Sequence, residues 1–141
     1  MKTKIKDLAA ILACVILVDE DYSTEDKECL EEIAEALDFK PEDLISAVEA
    51  ELKKIKKLDD EATNEYLLKA AEAVDENEAE IVLESVMQMA VYDNVFTLDE
   101  ADLIHIIAAA LDIPPAVTIA SAIGLVDSTV SVRFCSTDDS L

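Results

Sequence analysis

Two stretches of this chain repeat one another at an offset of 74 residues. Asp19 aligns with Asp93, Tyr22 with Phe96, Ser23 with Thr97 and Asp26 with Glu100. The register continues with Leu30 on Ile104, Ile33 on Ile107, Ala34 on Ala108, Leu37 on Leu111, Asp38 on Asp112, Phe39 on Ile113 and Pro41 on Pro115. Apolar residues alone could coincide by chance on two helices. An acid, an aromatic or apolar residue, a capping hydroxyl, a second acid and a proline in one register are a stronger constraint. They require each half to read as helix, acidic turn, helix, proline, helix.

The local chemistry agrees with helices throughout. Gly124 is the single glycine, and the prolines are Pro41, Pro114 and Pro115. A hairpin-rich β fold needs more turn residues than that. The apolar spacing predicts seven helices, at about 5–18, 24–37, 41–58, 60–74, 77–91, 98–111 and 115–126. Ser23 with Asp26, and Thr97 with Glu100, carry the spacing of an N-cap and its reciprocal acid. Pro41 suits a first helical turn, where its missing N–H costs nothing. The expected fold is therefore all-α, a compact bundle with an internal pseudo-two-fold relation. It forms one domain over 1–126, with repeat one at about 5–58, a linking helix, and repeat two at about 77–126. A tail, 127–141, follows, in which Thr129–Phe134 alternates polar and apolar residues as an extended or unordered segment would.

The net charge is −22, from 33 acids against 11 lysines and arginines. Ten of those cations precede residue 70, and Arg133 is the only one after it. A protein gripping phosphates needs clustered cations, so direct nucleic-acid binding is excluded as a reading. Three uses of the acidity remain open: solubility, attraction of a cation or a basic protein, and imitation of a DNA backbone to occupy a DNA-binding protein. Lys2, Lys4 and Lys6 before the apolar run Leu8–Val18 have the outline of an export signal. Asp19-Glu20-Asp21 follows instead of a small-residue cleavage site, and the run is too short to span a bilayer. No membrane insertion is expected. The cysteines Cys14, Cys29 and Cys135 have no metal-type spacing, which fits a reduced, cytoplasmic protein.

Candidate chemistry concentrates in the acidic turns. Asp19, Glu20, Asp21 and Asp26 could together hold a hard divalent cation such as Ca²⁺ or Mg²⁺, with Asp93 and Glu100 as the equivalent in the second repeat. The plain alternative is a solvated turn followed by acids that favour a helix N-terminus. An EF-hand is excluded, because Thr24 and Leu30 stand where its glycine and final glutamate would be. Downstream, Glu20, Glu25, Glu28, Glu31, Glu32 and Glu35 form an acidic face suited to docking a basic protein. Its plain alternative is a solvated helix surface. His105 stands alone and reads as a surface residue, Met87 and Met89 read as core filler, and one glycine cannot build a phosphate loop. No catalytic set emerges, so a non-enzymatic binding protein is expected.

An apolar helix, an Asp, a short turn, an apolar residue, a Ser or Thr, and an acid seven residues after the Asp, all given twice, resembles the TerB-like family. Its namesake belongs to tellurite-resistance operons, and a related domain opens a membrane-anchored DnaJ-type co-chaperone. The resemblance covers about Ile5–Val126. It implies a compact helical domain tied to stress or phage response, with metal binding at the acidic turns. The family's usual Asp-Gly is replaced here by Asp19-Glu20 and Asp93-Asn94.

Overall fold

The computed structural model describes residues 2–18, 22–92, 95–114 and 133–135. Among them are six α-helices: α1 (Ile5–Val18), α2 (Thr24–Ala36), α3 (Pro41–Ile55), α4 (Asp60–Glu72), α5 (Ala79–Val91) and α6 (Leu98–Ala110). A 3₁₀ turn, Glu76–Glu78, leads into α5. The strands β1 (Val95–Thr97) and β2 (Arg133–Cys135) pair in parallel, Phe96 opposite Phe134. Part of the alternating stretch in the tail is thus extended. The architecture is an all-α bundle. The expected seventh helix, 115–126, lies outside the described residues.

Helix α1 is the axis of the bundle. Leu8 through Ile16 are all buried, so this helix has no solvent face over two and a half turns. Its composition permits this, since Leu8–Val18 carries no charge. Helices α3, α4, α5 and α6 all pack on it. Burial of each Leu or Ile side chain contributes about 1.5–3 kcal/mol. Leu30 and Ile33 of α2, Leu44, Val48 and Ile55 of α3, and Val82, Leu83 and Val86 of α5 complete the core with it. Met87 and Met89 are buried and His105 is exposed, as expected, and Cys14 and Cys29 are buried as well.

The limits of the helices recur at the offset of 74. Helix α1 begins at Ile5 and α5 at Ala79, while α2 covers 24–36 and α6 covers 98–110. Their C-terminal turns match atom for atom. Asp38 donates its N–H to Glu35 O and Phe39 to Ala34 O; Asp112 donates to Ala109 O and Ile113 to Ala108 O. This is a Schellman turn, which needs a left-handed residue just past the helix. Asp38 (φ 63°) and Asp112 (φ 58°) supply it, at positions where glycine is the usual choice. Pro41 then opens α3.

Helix α3 ends at Ile55 rather than at Leu58. Lys57 N–H bonds to Lys54 O and Leu58 N–H to Ile55 O, so the last residues tighten into i→i+3 turns. Asp59 ends this stretch by capping α4, accepting from Ala62 N–H at 2.7 Å.

A left-handed conformation costs an L-residue roughly 1–2 kcal/mol, only part of which glycine's greater unfolded freedom returns. Asp38→Gly and Asp112→Gly are therefore each expected to stabilise the fold by about 0.5–1 kcal/mol, nearly additively because the turns are independent. Urea denaturation of the two single variants and the double variant checks this. A loss of stability would mean that the carboxylates serve the fold in another way.

Candidate functional site

Helix α2 divides cleanly into two faces. Cys29, Leu30, Ile33 and Ala34 are buried. Glu25, Glu28, Glu31, Glu32 and Glu35 are all exposed, with Lys27 the one cation on the same helix. Of the six glutamates proposed for a docking face, five are thus exposed on α2, and the sixth, Glu20, lies outside the described residues. Glu32 also faces α5: it accepts a hydrogen bond from Gln88 Nε2 at 3.4 Å. Burial, followed by the charge of Glu32, pushes the Tyr92 hydroxyl up to about 12.

The start of α2 is fixed by a capping box. Ser23 N–H donates to Asp26 Oδ2 at 2.9 Å, and Asp26 N–H donates to Ser23 Oγ at 3.3 Å. The Ser23 hydroxyl lies 3.2 Å from the same Asp26 oxygen. One oxygen of this candidate metal ligand is therefore already engaged in holding the helix. Lys27 Nζ stands 5.6 Å from the centre of the Tyr22 ring. The Tyr22 hydroxyl is pushed up to about 12 by burial, then by the charges of Glu49 and Asp26.

Asp19, Asp21 and Asp93 lie outside the described residues. Among the described residues, no three His, Cys, Asp or Glu side chains converge as a metal site would require. Glu100, the acid aligned with Asp26, is buried at 1% exposure, whereas Asp99 beside it is exposed. The two repeats thus place their corresponding acids differently.

Sequence reasoning missed two carboxylates with structural work. Glu78 accepts from Lys2 N–H at 2.9 Å, and from both Thr3 N–H and Thr3 Oγ at 2.7 Å. Thr3 Oγ accepts in turn from Asp75 N–H at 3.2 Å. The Thr3 hydroxyl chiefly, with the Lys2 and Thr3 amides, holds the Glu78 carboxyl below its usual range. Glu51, buried at 5% exposure, accepts from the Tyr66 hydroxyl and so ties α3 to α4. Burial and then Glu51 raise the Tyr66 hydroxyl. Burial and the nearby Glu51 charge push the Cys14 thiol up to about 12, which leaves it protonated and inert. Glu78 and Thr3 are 75 residues apart, and no local pattern announces such a pair.

A family model described as tellurite resistance protein TerB matches residues 6–122. The chain belongs to the TerB family. Neither the curated proteins nor the solved structures compared with it gave a match. No helix among the described residues of this TerB-family chain is long and apolar enough to cross a membrane.

The geometry at Asp26 sets the expectation for cations. With one Asp26 oxygen in the capping box, and no glycine turn, a site built on Asp19, Asp21 and Asp26 would bind Ca²⁺ or Mg²⁺ weakly, with Kd on the order of 10⁻⁴–10⁻³ M. Calorimetric titration of the wild type against Asp19→Asn/Asp21→Asn checks this, and it leaves the Ser23–Asp26 cap intact. Equal binding by both proteins would reduce the effect to screening.

Proposed function

We propose that this TerB-family protein is a non-enzymatic binding protein of stress response, acting in the cytoplasm through its acidic surface on a basic protein partner. The observation that carries this reading is the outer face of α2. Five glutamates there are exposed, and they sit three and four residues apart. Like charges at i,i+4, such as Glu28 with Glu32 and Glu31 with Glu35, each cost a helix about 0.2–0.5 kcal/mol. Solubility does not require acids stacked on one stripe, since the net charge of −22 already supplies it. A stripe of this kind matches a complementary basic surface and speeds encounter with it.

A divalent cation at the Asp19–Asp26 turn would act as an accessory, softening repulsion at the head of the same face. The alternative within the same chemistry is a DNA mimic of phage or anti-defence type, in which the carboxylates stand in for phosphates.

The test is capture from a cell lysate by immobilised wild type and by Glu28→Gln/Glu31→Gln/Glu35→Gln. A basic protein retained by the wild type, lost by the variant and released by moderate salt is the expected result. Release by duplex DNA at equal ionic strength would identify the partner as a DNA-binding protein and favour mimicry. Equal capture by both proteins would overturn the role of α2.

A further inference from the structure

The two strands hold a part of the chain that the α2 face does not touch. Strand β1 belongs to the body of the molecule: it runs straight into α6 and packs on α5 and α6. Strand β2 packs principally on β1. Its attachment is a parallel ladder of three residue pairs, Val95 with Arg133, Phe96 with Phe134 and Thr97 with Cys135. Parallel pairing is the weaker kind per residue, and two strands alone are marginal in water. The tail strand is thus a strap on a fixed edge, held by backbone bonds that any extended chain can make.

The sequence of the strap stands out from its surroundings. Residues 70–141 hold 14 acids and a single Lys or Arg, which is Arg133. That cation lies within the three residues that pair with β1, in register with Val95, and β1 follows Asp93-Asn94 directly in the chain. The first turn of α6 beyond β1 adds exposed Asp99 and Leu98, which at 57% exposure is the most exposed large apolar residue among those described. The chain therefore seats an extended segment with a cation and an aromatic residue beside an acidic stretch and an uncovered leucine.

We propose that β1 is a docking edge for an extended, Arg- or Lys-bearing segment of a partner protein, and that β2 occupies this edge as an exchangeable strap. The partner strand enters parallel to β1 and takes over the ladder of the tail. It brings a cation to the register position of Arg133 and an aromatic residue to that of Phe134. Main-chain bonds supply adhesion, and the residues at those two positions supply selectivity. A strand carried on the same chain competes at high effective concentration, so the strap admits only a partner that outbids it. This edge is separate from the α2 face, and the proposal stands or falls without it.

The probe is a fluorescein-labelled peptide of the tail sequence 129–137, with serine in place of Cys135, followed by anisotropy. Two variants of the full chain set the state of the strap. Phe134→Pro opens it, because proline does not sit within a ladder. Thr97→Cys closes it, because Thr97 and Cys135 are register partners. Neighbouring strands lie about 4.8 Å apart, within the span of roughly 4.4–6.8 Å between the Cα atoms of a disulfide. The opened chain should bind the peptide at least about tenfold more tightly than the wild type, since its internal competitor is gone. Oxidised Thr97→Cys should not bind, and reduction should restore wild-type binding, a comparison within one protein that needs no assumption about folding. A peptide with Gln at the position of Arg133 should bind the opened chain about threefold more weakly; equal binding overturns the preference for a cation. No binding by the opened chain, equal affinity in all three proteins, or failure of the Thr97→Cys disulfide to form overturns the proposal. Adding Glu28→Gln/Glu31→Gln/Glu35→Gln to the opened chain should leave the affinity unchanged. Loss of binding there would mean that the peptide follows the charge of α2, and the strand edge would fall while the acidic-surface reading stood. A wild-type dimer by sedimentation, abolished by Phe134→Pro, would make the tail of a second copy the occupant and would also overturn the proposal.

Discussion

The burial of α1 on every side governs the rest of this structure. A helix whose residues Leu8–Ile16 have no solvent face must be surrounded, and α3, α4, α5 and α6 surround it. Helix α5 is itself buried over most of its surface, while the other helices keep a broader outer side on which most of their charged residues lie. In a chain with 33 acids, the consequence is an apolar interior beneath a crowded skin of carboxylates. Glu51 and Glu100 are the acids among the described residues that lie inside. Glu51 is satisfied by the Tyr66 hydroxyl, as a buried carboxylate must be.

The skin is not uniform, because helix ends direct where acids gather. Glu25 and Asp26 open α2, Glu42 and Asp43 open α3, and Asp60 and Glu61 open α4, each where the helix dipole favours negative charge. The dipole accounts for those residues. It does not account for Glu31, Glu32 and Glu35, which lie in the middle and final turns of α2, where negative charge gains nothing from the dipole. The acidic face of α2 is thus a place where carboxylates accumulate beyond local helical need.

The parts of this arrangement that were legible in the sequence are those set by neighbours along the chain. Pro41 marks the start of α3, the Ser23–Asp26 spacing is a cap in three dimensions, and the alternation of Leu30, Ile33 and Ala34 with glutamates separates the two faces of α2. The aligned pair Asp38 and Asp112 proved to be one turn built twice. Good helix formers at Lys56–Leu58 hid the early end of α3, because that end is set by tightening of the last turn, with Asp59 capping the next helix. The Glu78 clamp was not legible, since Glu78 and Thr3 are 75 residues apart and only the packing of the 3₁₀ turn beside the N-terminal segment brings them together. At the Asp19–Asp26 turn, the cap and its reciprocal acid were both visible in the Ser23–Asp26 spacing.

An apolar core here carries a surface crowded with carboxylates, at a net charge of −22. Repulsion among them is screened over about 8 Å at physiological ionic strength. The most direct measurement is the thermal midpoint of the protein in low and in moderate NaCl, well below the concentrations at which salt alters hydrophobic burial. The midpoint should rise as salt is added, because screening relieves the folded state of its self-repulsion. A midpoint that falls with salt would contradict it, for it would mean that the carboxylates are locally paired and that little field is left to attract a partner.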